Sequence, residues 1–146
     1  MGFFRSLDIS ASGLTAQRLR MDVISENLAN ISTTRTASGG PYRRRYTVFE
    51  QAGSPSFSSA LQSAMDSGYS GAGVRVSAIQ EDPSEFKMVY DPTNPDAGAD
   101  GYVRMPNVNV ETELVDMIGA NRAYEANVTA MNALKSMAVK ALEIGK

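Results

Sequence analysis

Leu7, Leu14, Met21 and Leu28 stand seven residues apart near the start of the chain, with Ile24 and Ile31 three beyond the last two. That spacing is a heptad-like seam and predicts a helix over residues 7–31. A second apolar stripe, Ala16, Leu19 and Val23, falls on roughly the opposite side at about 100° per residue. A helix that is apolar on two faces needs two neighbours.

A longer helical pattern runs from Asn109 to Gly145. Asn109 is placed as an N-cap, and Glu111 and Glu113 lie in the first turn, where the helix dipole favours acids. At ~1.5 Å per residue the helix is on the order of 50 Å long, more than a small globule needs. Projected at about 100° per residue, Leu114, Met117, Asn121, Tyr124, Val128, Met131, Ala138 and Leu142 share one side. Ala123, Ala126, Ala130, Ala133, Met137 and Ala141 share another. Solvent is left a strip of Arg122, Glu125, Thr129, Ser136, Lys140 and Glu143. One partner helix cannot cover both apolar sides, so contacts with other subunits are expected.

Asparagines interrupt both patterns. Asn121 projects into the expected main seam, where a buried amide costs stability and fixes register. Asn27, Asn127 and Asn132 are expected to flank the seams, each as readily in solvent as in a contact. Asn30, followed by Ser32, Thr33 and Thr34, reads as a helix terminator, because these side chains compete for backbone hydrogen bonds.

Residues 32–108 have a different texture. "TASGGPYRRR", "SPSFSS" and "DSGYSGAG" are turn and loop sequences, and "YRRRYTVFEQ", "GVRVSAIQ" and "FKMVYD" between them are strand-like. In the second of these, Val74, Val76 and Ala78 alternate with Arg75 and Ser77. The expected architecture is α+β: long terminal helices (1–34 and 109–146) around a small, loop-rich β insert (35–108) that Pro106 closes.

The 146 residues fit one domain, and the 42% apolar content, rich in alanine and valine, supports an ordinary core. A net charge of -2 gives no electrostatic reason to expect nucleic acid or an anionic membrane. No apolar run approaches the ~18 residues of a membrane span. Arg5 and Asp8 break up any signal-peptide core, so no cleaved leader is expected. Cysteine and histidine are absent, which removes disulfides, thiol chemistry, the commonest general base and the commonest zinc ligand.

The remaining enzyme and ligand signals are weak. "GYSGAGVRV" lacks the third glycine of a dinucleotide fingerprint. "NPDAGAD" spaces Asn94, Asp96 and Asp100 like calcium ligands, yet it lacks the closing glutamate and is interrupted by proline. No spacing singles out a glycosidase pair from Glu81, Asp82, Asp91 and Asp96. "YRRRY" at 42–46 reads as an alternating strand, with Arg43 and Arg45 on one face and Tyr42, Arg44 and Tyr46 on the other, rather than as a nucleic-acid patch.

"SGLTAQRLRMDVISENLANISTTRT" resembles the N-terminal motif of the bacterial flagellar axial proteins, and "GYVRMPNVNVETELVDMIGANRAYEANVTAMNALKSM" resembles their C-terminal motif. With "VYDPTNPDAGAD" and the short middle, nearly the whole chain is similar to the proximal-rod members of that family. The matching motif positions are Asn27, Asn30, Pro106, Asn107, Asn109, Arg122 and Asn127. The resemblance implies a structural rod subunit whose two terminal helices pair as a coiled coil, that is not an enzyme and needs no cofactor or metal. Its partners would be further copies and other rod proteins in a helical assembly that carries torque and encloses an export channel. The implied route is the flagellar type III export apparatus, without a cleaved signal, and the implied place is the rod in the periplasm. Subunit packing is expected from Leu14, Met21, Ile24, Leu28 and Ile31 on the first helix and from Leu114, Met117, Asn121, Tyr124, Val128, Met131 and Leu142 on the second. Two other classes stand beside it: a cytoplasmic coiled-coil adaptor and a wall-associated hydrolase.

Overall fold

The first helix has both of the neighbours its two apolar stripes call for, and both come from its own chain. The computed structural model describes residues 3–37, 39–53 and 72–144. Helix α1 spans Phe3–Ala29 and helix α2 spans Val110–Ile144. Between them lie strands β1 (Arg45–Gln51), β2 (Val74–Glu81), β3 (Lys87–Tyr90) and β4 (Tyr102–Met105). They form two separate antiparallel hairpins, β1 with β2 and β3 with β4. This is the α+β arrangement expected, with β4 as an added strand.

Helix α1 contacts α2 and also both strands of the β1–β2 ribbon. The two helices run antiparallel, since Asn27 of α1 meets Glu113 of α2 while Gly13, two heptads earlier, meets Asn127. The ribbon is fastened to α1 at two points. At one end the Asn27 amide brackets the backbone of Arg45; at the other, the Val74 N–H donates to Ser12 Oγ at 3.1 Å. From Ser12 to Asn27 is ~22 Å of helix, close to the ~23 Å that a seven-residue strand spans. A side chain at Gly73 would collide with the Ser12 hydroxyl, so the ribbon reaches the helix there only with glycine.

The alternation read in β2 places Val74, Val76 and Ala78 half-buried and Arg75 and Ser77 exposed. Its register shifts between Val48 and Phe49, which pair with Ala78 and Val76 and leave Ser77 as the extra residue of a bulge. The β3–β4 hairpin is closed by the "DPTNPDAGAD" loop. Asp91 Oδ1 accepts from the Thr93 N–H and hydroxyl, Asn94 Oδ1 accepts from the Asp96 N–H, and Gly101 turns at φ 77°. These are the local side-chain turns that Asp and Asn favour, and they account for the loop without any ion. The segments "SPSFSS" and "DSGYSG" lie outside the described residues.

The buried residues of α1 are Ser10, Gly13, Ala16, Val23, Ile24 and Asn27. The tightest packing therefore follows small residues rather than the leucine heptad, whose Leu7, Leu14, Met21 and Leu28 are half-buried. On α2 Ala120 is wholly buried, with Ala123, Asn127, Met131 and Leu134 half-buried.

Candidate functional site: the buried junction and the outer helix face

Three segments that are distant in sequence converge where α1 ends and α2 begins. Asn27 is fully buried, and every polar atom of its amide is used. Its Oδ1 accepts from the Tyr42 hydroxyl and the Arg45 N–H, both at 2.9 Å. Its Nδ2 donates to the Arg45 carbonyl at 2.8 Å and to Glu113 Oε2 at 3.0 Å. Glu113 is also 0% exposed, and its other oxygen takes the Arg44 Nε–H at 2.6 Å. Arg44 continues to Asp116 at 3.2 Å, and Asp116 to Arg20 at 3.0 Å. A carboxylate buried this completely is tolerable only because it is paired and hydrogen-bonded; stripped of its cation it would cost several kcal/mol. Burial raises the Tyr42 pKa, with the nearby Glu26 charge adding to it, so Tyr42 stays a hydrogen-bond donor at neutral pH.

The "PNVN" motif builds the approach to α2. Pro106 and Val108 are buried, and the Asn107 side chain accepts from the Arg44 N–H at 2.8 Å and donates to Ser84 Oγ at 2.8 Å. Asn109 caps the helix, its Oδ1 accepting from the Glu111 N–H at 3.0 Å. At the end of α1, Asn30 donates to the Glu26 carbonyl at 2.9 Å and accepts from the Thr33 hydroxyl at 3.1 Å, as expected of a terminator. Beside the junction, the Asp82 carboxyl is held below its ordinary pKa by the Ser84 N–H and hydroxyl, with Arg44 adding a smaller pull.

The helix contact within the chain corrects two expectations. Asn27 and Asn127 do not merely flank the seam: Asn27 is its most completely bonded residue, and the Asn127 amide lies against Gly13, where a Cβ would come within 3.0 Å of it. Asn121 lies outside this contact, on the solvent side, with its amide 3.4 Å from Glu125 one turn on. Of its expected companions, Met117, Tyr124, Val128 and Met131 are half-buried, whereas Leu114 and Leu142 are 49% and 75% exposed. The seam is rotated because its deepest positions are Glu113 and Ala120, a carboxylate and a small residue that an apolar projection undervalues. Ile24 is buried in the core, Ile31 is half-buried beyond the helix end, and Arg122 is exposed.

Among the described residues, two groups of large apolar side chains on α2 are exposed. Val115 and Ile118 join Leu114 on the outer face of α2, and Met137 and Val139 join Leu142 near its end. The antiparallel register sets Phe3 opposite residue 137, so the last two turns of α2 project past α1. Among the described residues no group of three His, Cys, Asp or Glu is placed to hold a metal ion, and no described helix is long and apolar enough to cross a membrane.

Comparison with known proteins decides the family. The "Flagella basal body rod protein" family model matches residues 7–35, and the "Flagellar basal body rod FlgEFG protein C-terminal" model matches residues 99–144. The flagellar basal-body rod protein FlgC of Bacillus subtilis is 57% identical over 151 aligned positions, covering 100% of both chains. The FlgC of Borreliella burgdorferi is 49% identical, covering 99% of this chain and 98% of its own. The FlgC of Salmonella typhimurium is 38% identical, covering 100% of both.

The chain belongs to the flagellar basal-body rod protein family. Full-length similarity places it with the FlgC-like rod proteins, which are structural and not enzymes. The two family models cover α1 with its terminating turn and β4 with α2, so the residues of the junction that come from α1 and α2 fall inside them, while Tyr42, Arg44 and Arg45 fall between. The conspicuous rod-protein asparagines are thus largely internal fasteners. Sequence reasoning missed the junction roles of Glu113, read only as a first-turn acid, and of Arg44, read as one more side chain of a strand, although its charge among tyrosines was an available signal.

Proposed function

We propose that this structural rod subunit polymerises through the helix faces that are exposed among its described residues. What supports the reading is the apolar outer face of α2, Leu114, Val115 and Ile118, together with Met137 and the overhanging Val139 and Leu142. Contiguous exposed apolar side chains of this kind suit subunit contact better than solvent. In the assembly, segments 1–34 and 109–146 form the inner stem around the export channel, and segment 35–108 forms the outer part that bears on neighbouring rod components. Repeated head-to-tail contact generates an open helical shaft, suited to carrying torque. Asn121, exposed in the single chain, together with Tyr124, Val128 and Met131 along α2 and Leu14, Met21, Leu28 and Ile31 along α1, completes its packing against neighbours. The subunit leaves the cytoplasm through the flagellar type III export apparatus without a cleaved signal and assembles in the periplasm.

The test pairs Leu142→Asp with Glu143→Gln in a motile host whose own copy is deleted. Leu142→Asp is expected to abolish swimming while the protein is still secreted, and Glu143→Gln to swim normally. Normal swimming by Leu142→Asp overturns the assignment of this face to a subunit contact.

A further inference from the structure

The α1–α2 contact includes several small residues, and small residues do not by themselves choose an alignment. Gly13 and Ala16 on α1 face a side of α2 built around Ala120 and Ala123, and one-heptad shifts bring alanine or glycine against alanine again. Two contacts, one a hydrogen bond and one a close packing, break that degeneracy on either side of the Arg20–Asp116 ion pair. Asn27 bonds Glu113 at one end, and the Asn127 amide seats on Gly13 at the other. The spacing from Gly13 to Asn27 is the same as that from Glu113 to Asn127, two heptads or ~21 Å on each helix.

We propose that Asn27–Glu113 and Gly13–Asn127 are paired register pins, and that they, rather than the apolar seam, make the two terminal helices of this chain recognise one alignment. The inference concerns the folded chain itself and does not depend on which face contacts a neighbour. If α2 slides by seven residues, Asn27 comes opposite Ala120, which offers no side-chain hydrogen bond, and Gly13 comes opposite Leu134. Glu113 then moves past the end of α1 and loses Asn27, while Asn127 comes opposite Arg20. A slide the other way sets Asn27 opposite Pro106, before α2 has begun. Either slip breaks both pins together, because their spacings are equal. The glycine is part of the device: a Cβ at position 13 would stand 3.0–3.2 Å from three atoms of the Asn127 amide, closer than side chains normally approach. The Asn127 amide is itself held, its Nδ2 donating to the Ala123 carbonyl at 2.9 Å.

The absence of native cysteine allows a direct test on the full-length chain. Ala16→Cys with Ala123→Cys reports the observed register, and Ala16→Cys with Ala130→Cys reports a slip of one heptad. The two cannot both form in one alignment, since a disulfide needs Cα atoms within roughly 7 Å and a heptad is ~10 Å of helix. After mild oxidation, the intramolecular link on the monomer band is expected to favour 16–123 over 16–130 by at least about tenfold. Adding Asn27→Leu and Asn127→Ala together is expected to bring the ratio to within about threefold. Asn127→Ala alone, which strands no buried charge, is expected to lower the ratio by about threefold while the links still form. A ratio unmoved by removing either pin, or a predominant 16–130 link with both pins present, overturns the proposal. Loss of both links in Asn127→Ala also counts against it, because that contact would then support stability rather than alignment.

Discussion

The two ends of α2 are built on opposite principles. At its start Glu113 is sealed from water and bonded to an amide and a guanidinium; at its end Leu142 is 75% exposed and touches little. The buried polar group is satisfied by its own chain, while the exposed apolar group is one we propose meets another. A residue's polarity therefore does not say whether it serves the fold or the assembly. Whether its partners lie in the same chain does.

Mutations at the two ends should separate these roles. The largest loss of stability is expected from Arg44→Met, which leaves the Glu113 carboxylate buried without its cation and costs roughly 3–5 kcal/mol in urea unfolding of the full chain. Tyr42→Phe removes one donor to the Asn27 amide and should cost about 1 kcal/mol by the same measurement. Asp82→Asn should be smaller and visible mainly as a changed pH dependence. The folded Asp82 pKa lies below its unfolded value, so its contribution is complete above the ordinary aspartate range and is lost as pH falls through the folded pKa. Unfolding midpoints measured from pH 7 to pH 2 should therefore fall less steeply in the variant. Leu142→Asp should leave the stability of the single chain within ~0.5 kcal/mol, yet stop assembly. If it unfolds the chain as severely as Arg44→Met does, the contrast between the two ends is wrong.

Periodicity made both helices legible. The sequence pattern over 7–31 became a helix over Phe3–Ala29, and the pattern from Asn109 became one over Val110–Ile144, with Asn109 capping it as read. Three strands were visible as alternating or β-branched runs. "YVRM" was not, because it is short, follows a glycine-rich loop and leads directly into the motif before α2. The junction was less legible for a different reason. Arg44 and Glu113 are 69 positions apart, and no local spacing links them. A glutamate in the first turn of a helix has a sufficient local explanation in the dipole, which hid its role as a buried anchor. The helical projection put Asn121 in the seam and Asn127 beside it, and the position of the partner helix reverses the two.

The middle position of α1, with α2 on one side and the β1–β2 ribbon on the other, also bears on the order of folding. Its contacts are with residues that come later in the chain: Arg45 is 18 positions beyond Asn27, and Glu113 is 86. A chain delivered from its N-terminus therefore presents first the helix that can be completed last. A helix in a protein draws most of its stability from tertiary packing, and the docking of α1 waits on closure of a long loop. Assembly of the core is then a terminal event, triggered by arrival of α2 rather than built up piece by piece, and folding should be slow for a chain so rich in helix.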